Sequence, residues 1–159
     1  MSRIALFADV QNLYYTVRQA YGCHFSYAAL CAEVAAQGEI VEAYAYAIDR
    51  GDARQQQFQQ ILRKLGFVVK LKPFIQRSDG SAKGDWDVGI TIDVLDAAAR
   101  VDRVVLASGD GDFDLLLERI RCVNQVRTSV YGVPGLTAQS LIRAADEFRP
   151  IEGTLLLRH

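Results

Sequence analysis

Cysteine, proline and histidine are scarce in this chain of 159 residues. The three cysteines, Cys23, Cys31 and Cys122, are odd in number, scattered, and free of any CxxC or Cys/His grouping. That argues against a disulfide framework or a zinc site and reads as reduced, mostly buried thiols. Three prolines and no low-complexity stretch leave no candidate linker or disordered tail. The two histidines, His24 and His159, stand outside every motif, which argues against a His–His acid–base pair. No apolar run approaches the roughly 20 residues that a membrane helix needs. The opening MSRIALFADV enters strand-like sequence at once and lacks the charged, apolar and small-residue regions of a secretory signal. Together these absences predict a cytoplasmic protein without a membrane segment.

Half of the residues are apolar and 23% are charged. That balance fits one globular domain over residues 1–159, its core about 3–150 with a short C-terminal tail. The net charge of −1 hides an asymmetry. Residues 50–83 hold eight basic side chains against Asp52 and Asp79, a net of +6, which leaves −7 on the rest of the chain. The basic segment is either an ordinary solvated helix face and edge strand or a surface for a polyanion.

Hydrophobic periodicity alternates between strand-like and helix-like stretches. RIALFAD (3–9) is a short buried-strand run, and QNLYYTVRQAYG follows as a helix ending near Gly22. Ser26 is placed to cap YAALCAEVAAQG, with Gly38 as its stop, and Asp52 to cap ARQQQFQQILRKLG. Further strands are expected at IVEAYAYAID, FVVKLKPFI, RVVLASG and RTSVYGV. Helices are expected at WDVGITIDVLDAAAR, FDLLLERIRCVN and TAQSLIRAADEF, and QRSDGSAKGD reads as a loop. This alternation predicts an α/β fold, a three-layer α/β/α sandwich with a mainly parallel sheet. Sites in such sheets lie beyond the carboxyl ends of the strands, where the strand order reverses. Asp9 ends the first strand and Asp110 follows the fourth, so the two carboxylates converge if those strands are neighbours.

Each acid also has a plain structural explanation. Asp9 can be a helix N-cap, although Asn12, three residues on, can face the same crevice. In KGDWDVGITIDVL, Asp85 or Asp87 can cap a helix and complement its dipole. Asp93 interrupts the apolar run there, and at six residues from Asp87 it lies roughly 120° off that residue's direction. In VVLASGDGDFDLLL, Asp110 and Asp112 are alternate residues of a tight turn and read as a pair aimed at one point. Ser108 and the two glycines suit that turn, Phe113 is a core anchor, and Asp114 suits a helix N-terminus. Ser140 and Arg143 are weaker candidates for reaching a phosphate. An EF-hand loop starting at Asp110 would need Gly sixth and Glu twelfth, where this chain has Leu115 and Arg121. A receiver domain would need paired acids after the first strand and a Lys after a late one, and neither is present. What survives is a hard, oxygen-rich site for Mg²⁺ or Mn²⁺ at the strand ends.

FADVQN, KGDWDVGITIDVL and SGDGDFDLLL, in that order, resemble the motifs of the NYN (LabA-like) branch of the PIN-domain nucleases, over roughly residues 3–150. The resemblance implies a PIN-like (Rossmann-like) sheet of order 3-2-1-4-5. It implies Asp9, Asp87 and Asp110 as ligands of one or two Mg²⁺ or Mn²⁺ ions, with Asp112 orienting a ligand water and Asn12, Ser108 and Asp93 in support. Several members of the family cleave RNA. The implied activity is therefore metal-dependent hydrolysis within single-stranded RNA, with Lys83, Arg50 and Arg54 holding the backbone. A homodimer is a further expectation by analogy. The alternatives are a binding or regulatory module that keeps the fold and metal but hardly turns over, and a metal-dependent phosphatase of small nucleotides.

Overall fold

The computed structural model describes residues 1–73, 75–76, 82–83 and 85–158, with the backbone alone for 75–76 and 82–83. Strand β1 (Arg3–Asp9) is apolar at every position from Ile4 to Ala8 because it lies mid-sheet with both faces covered. Its alternate residues go to different layers, as the two-residue period of a strand requires. Ile4, Leu6 and Ala8 pack with Leu13 and Val17 of α1 (Val10–Tyr21), Leu30 and Val34 of α2 (Tyr27–Ala35) and Leu62 of α3 (Ala53–Lys64). Ala5 and Phe7 pack on the other face with Ile90 and Val94 of α4 (Asp87–Ala98), Leu117 and Ile120 of α5 (Asp114–Val123) and Leu141 of α6 (Gln139–Ala144). The result is the expected three-layer sandwich.

Two short ribbons complete the strand numbering. One pairs β2 (His24–Phe25) with β10 (Leu156–Leu157), and the other pairs β5 (Ile75–Gln76) with β6 (Ala82–Lys83), both antiparallel. In the main sheet β1 pairs in parallel with β3 (Glu39–Asp49) on one side and β7 (Arg103–Ala107) on the other. Next to β3 lies β4 (Val68–Pro73), and beyond β7 lie β8 (Arg127–Gly132) and β9 (Glu147–Pro150), giving the order β4-β3-β1-β7-β8-β9. Counted along the chain, those sheet strands run 3-2-1-4-5-6. This is the expected PIN-like order with one strand added.

The added strand corrects the expectation of a helix over TAQSLIRAADEF. Helix α6 stops at Ala144 because Asp146 is held elsewhere. Its carboxylate accepts from the Thr128 N–H at 2.9 Å and pairs with Arg121 at 2.9 Å, while its own N–H donates to Thr128 Oγ1 at 3.0 Å. These anchors draw the chain onto the sheet edge as β9. The expected tail is also built in: the Ser26 N–H donates to Leu155 O at 2.8 Å, and Leu155 is buried. Ser26 and Asp52 cap α2 and α3 as expected, accepting from the Ala29 and Gln55 N–H groups. Gly22, at φ +66, closes α1. Gly38 has a different role, since α2 ends at Ala35 and a Cβ on Gly38 would lie 2.6 Å from Ser2 O. Among the described residues no helix is long and apolar enough to cross a membrane.

Candidate metal centre

The strand order reverses between β1 and β7. Ala8 pairs with Ala107, so Asp9 and Ser108 leave the sheet side by side. Ser108 is fully buried; its hydroxyl donates to Asp9 Oδ2 at 3.0 Å and accepts from the Asp110 N–H at 3.2 Å. Asn12, in the first turn of α1, accepts from the Gly109 N–H at 2.9 Å through Oδ1. These contacts tie the start of α1 to the turn after β7. Gly109 is needed because the loop after β8 crosses it closely: a Cβ would sit 2.9 Å from Leu136 O. Asp110 then caps a 3₁₀ turn (Gly111–Phe113), accepting from the Asp112 N–H at 2.9 Å.

The third acid arrives on α4, whose first residue is Asp87. Trp86 sets its approach. The indole Nε1–H donates to Ala47 O of β3 at 2.9 Å, and Lys72 of β4 lies 4.5 Å from a ring centroid while donating to Asp85 O at 3.1 Å. Gly89 leaves room for the ring, since a Cβ there would lie 2.6 Å from it.

Asp9, Asp87 and Asp110 each offer a carboxylate oxygen, all within 4.8 Å of one another. They line an open cleft of about 340 Å³ with Gln11, Asn12, Tyr15, Thr16 and Asp85. Among the described residues none of the three acids is in an ion pair. Burial pushes the Asp9 carboxyl up to about 6 against the pull of the Ser108 hydrogen bond, and Asp110 and Asp85 add to the rise. Asp87 is raised to about 7, first by desolvation, then by the charge and hydrogen bonding of Asp110, and further by Asp85 and Asp9. Like charges this close disfavour full ionisation. The donor set is all oxygen, which fits a hard divalent cation such as Mg²⁺ or Mn²⁺. Such a cation also offsets the burial and the repulsion that together hold both carboxyls up.

The family model for the NYN domain matches residues 3–152. The chain belongs to the NYN domain family. NYN domains are members of the PIN-like nuclease superfamily, so the sandwich has a nuclease-like fold. A relative, the low amplitude and bright protein LabA of Synechococcus elongatus, is 32% identical over 159 aligned residues, covering 92% of this chain and 82% of LabA. The crystal structure of a protein of unknown function from Vibrio parahaemolyticus is 54% identical. It superposes with a TM-score of 0.93, covering 98% of this chain and 96% of that one.

The three candidate ligands of this NYN domain are the three that meet, and the other candidate site residues stand around or away from them. Asp112 is exposed and outside the group of three. It meets Asp110 through its backbone N–H, which donates to Asp110 Oδ1 at 2.9 Å. Asp93 is held by Lys70 Nζ at 2.6 Å and by the Tyr46 hydroxyl, which donates to it at 2.7 Å. Arg50 and Arg54 follow β3 at the same edge of the sheet, exposed and outside the residues lining the cleft. The side chain of Lys83 lies outside the described residues, as do His159 and most of the expected loop. Ser140 helps to confine the turn, its Oγ standing 3.4 Å from where a Cβ on Gly111 would be, and Arg143 is exposed.

Sequence reasoning missed Asp85, Gln11, Tyr15 and Thr16 as cleft residues, and Trp86 as their anchor. A signal existed for two of them: Tyr15 and Thr16 stand three and four residues after Asn12 and share its helix face.

Proposed function

We propose that this NYN domain is a metal-dependent endoribonuclease acting on single-stranded RNA. The supporting observation is the convergence of Asp9, Asp87 and Asp110, from three separate segments, on one open cleft without a basic partner among the described residues. Asp93, Asp146, Glu42 and Glu147 each meet a lysine or arginine, whereas these three acids meet none among the described residues. Asp9, Asp87 and Asp110 hold one or two Mg²⁺ or Mn²⁺ ions. Such an ion, when bound, lowers the pKa of a water and neutralises charge building on the phosphoryl oxygens. Ser108 fixes the Asp9 carboxylate by donating to its Oδ2. Asn12 clamps Gly109, and with it the turn carrying Asp110, so the carboxylates keep their spacing. Arg50, Arg54 and Lys83 of the basic segment hold the RNA backbone with sequence-independent, salt-sensitive affinity.

The test is cleavage of an end-labelled single-stranded RNA by wild type and Asp110→Asn, with Mn²⁺, Mg²⁺ or EDTA. Internal cuts are expected with metal, none in EDTA, and none from the variant. If both proteins are inert while wild type still binds Mn²⁺, the protein is a binding module. Release of phosphate from mononucleotides without cuts in RNA would make it a phosphatase.

A further inference from the structure

We infer that Tyr15 is a stacking platform for a nucleobase beside the bond that is cut, an inference that rests on the ribonuclease reading. Helix α1 has two sides with different work. Leu13 and Val17 are buried against the sheet, whereas Gln11, Asn12, Tyr15 and Thr16 line the acidic cleft. The two adjacent tyrosines also differ. The Tyr14 hydroxyl accepts from Arg18 at 2.6 Å, the guanidinium lies 5.8 Å from the ring centroid, and His24 stacks at 6.1 Å. Tyr15 is 53% exposed, and among the described residues its one ring contact is edge-on with Tyr14, at 5.3 Å and 80°. Its hydroxyl makes no hydrogen bond to any described residue. A large ring left half in water beside a cleft invites a flat partner.

The surroundings select which partner. Asp9, Asp85, Asp87 and Asp110 repel any anion that arrives without a cation. A nucleotide whose phosphate is held at the carboxylates brings an uncharged aromatic face with it. Tyr15 lies three residues beyond Asn12, about 4.5 Å further along the helix axis. That places its ring beside the acids rather than on top of them. The Thr16 hydroxyl already donates to Asn12 O at 2.8 Å and does not compete. The amide of Gln11, which carries both donors and an acceptor and makes no hydrogen bond to a described residue, can meet a base edge without demanding one base. Stacking reads the π-face that every base has, so the preference is for unpaired nucleotides and not for a sequence.

The experiment measures the affinity of fluorescein-labelled oligouridylate by anisotropy, with Ca²⁺ in place of Mg²⁺ to slow cleavage. Tyr15→Ala is expected to weaken binding roughly 5- to 150-fold, the equivalent of about 1–3 kcal/mol for one stacked base. Tyr15→Phe and Tyr15→Trp should bind as wild type does, and an RNA duplex of equal length should not distinguish Tyr15→Ala from wild type. Mn²⁺ titration of Tyr15→Ala should match wild type, which shows that the carboxylates are undisturbed. Equal RNA affinity of Tyr15→Ala and wild type overturns the stacking role while leaving the nuclease standing. Loss of Mn²⁺ affinity in Tyr15→Ala overturns it too, since Tyr15 would then act on the carboxylates. If wild type neither binds nor cuts RNA, the ribonuclease reading and this inference fall together.

Discussion

Asp87 and Asp93 stand on one helix, six residues apart, in opposite surroundings. Asp93 has Lys70 at 2.6 Å and the Tyr46 hydroxyl at 2.7 Å. Asp87 has Asp9, Asp85 and Asp110, and its carboxyl is pushed up to about 7. The contrast extends to the rest of the molecule. Arg100 meets Glu42 at 2.8 Å, Arg121 meets Asp146 at 2.9 Å and Arg149 meets Glu147 at 2.5 Å. The hydrogen bonds from Arg100 and Arg149 hold the Glu42 and Glu147 carboxyls below their ordinary value. An acid that arrives with its own cation helps to hold elements together. Three acids pressed together with no such partner among the described residues are held in place by the rest of the fold, and a cation from outside relieves them.

The sharpest way to break this comparison is to make one substitution at both positions. Asp87→Asn is expected to lower RNA cleavage at least about 100-fold, because changes behind the ligands of a metal site already cost 10–100-fold. Asp93→Asn should leave the rate within a few-fold. Equal losses at the two sites, measured under single-turnover conditions, would erase the distinction. Cation binding gives the next largest effect. Mn²⁺ at 100 times its Kd should stabilise the fold by about 2.7 kcal/mol, and EDTA should reverse it. For a chain of this size that is a rise of roughly 5–10 °C in Tm. The rise should vanish in Asp87→Asn and persist in Asp93→Asn.

Most of the sandwich was legible because its strands and helices carry strong local periods. RIALFAD is apolar from Ile4 to Ala8 since both faces are covered, and three- and four-residue spacing in α3 and α5 marks one buried stripe. Strand β9 was not legible: Glu147–Pro150 is half-buried at the sheet edge and shows no alternation. What decides it is the grip of Thr128 and Arg121 on Asp146, partners 18 and 25 residues away. The ribbon of β2 and β10 is two residues a side, too short for a period. At the centre, Asp9 and Asp110 could be placed by topology alone, since a reversal between neighbouring strands brings their ends together. Asp112 could not, because the 3₁₀ geometry of its turn is set by the cap that Asp110 makes. Asp85 looks like a helix cap in sequence and does accept from the Asp87 N–H, but its place at the cleft depends on the Trp86 anchor on Ala47 and the Lys72 contact with Asp85 O.

A third effect sharpens the comparison through pH. The carboxyls of Asp9 and Asp87 are raised to about 6 and about 7 from an ordinary 3.8. A raised acid is preferred in its protonated form by the folded state. Its contribution to stability is therefore complete below about 3.8 and is lost as pH climbs through 6 and 7. Glu42 and Glu147, held low, act on the acid side with the opposite sign. The difference in Tm between wild type and Asp87→Asn, both in EDTA, isolates the cluster. Relative to Asp87→Asn, wild type should lose stability between about pH 4 and pH 7, and Mn²⁺ affinity should rise over the same interval as protons stop competing. A difference curve flat across that interval would mean that the cleft does not raise the Asp87 carboxyl.

The smallest effect comes from the other side of the comparison, at Lys70. Its ammonium pairs with Asp93 and lies 5.2 Å from the Tyr44 centroid and 6.0 Å from that of Tyr46. The pair is partly exposed, 35% for the lysine side chain and 21% for the aspartate. Screening keeps such a pair to about 0–1 kcal/mol, and a cation over an exposed ring adds about 0.5–1 kcal/mol. Lys70→Met keeps the stem and removes the charge. It should lower stability by about 1 kcal/mol in urea unfolding, with the Tyr46 hydroxyl still satisfying Asp93. Cleavage and Mn²⁺ affinity should be unchanged. Were Lys70→Met instead to tighten Mn²⁺ binding, Asp93 would have been released to the metal, and the boundary between acids of the fold and acids of the site would have to be redrawn along α4.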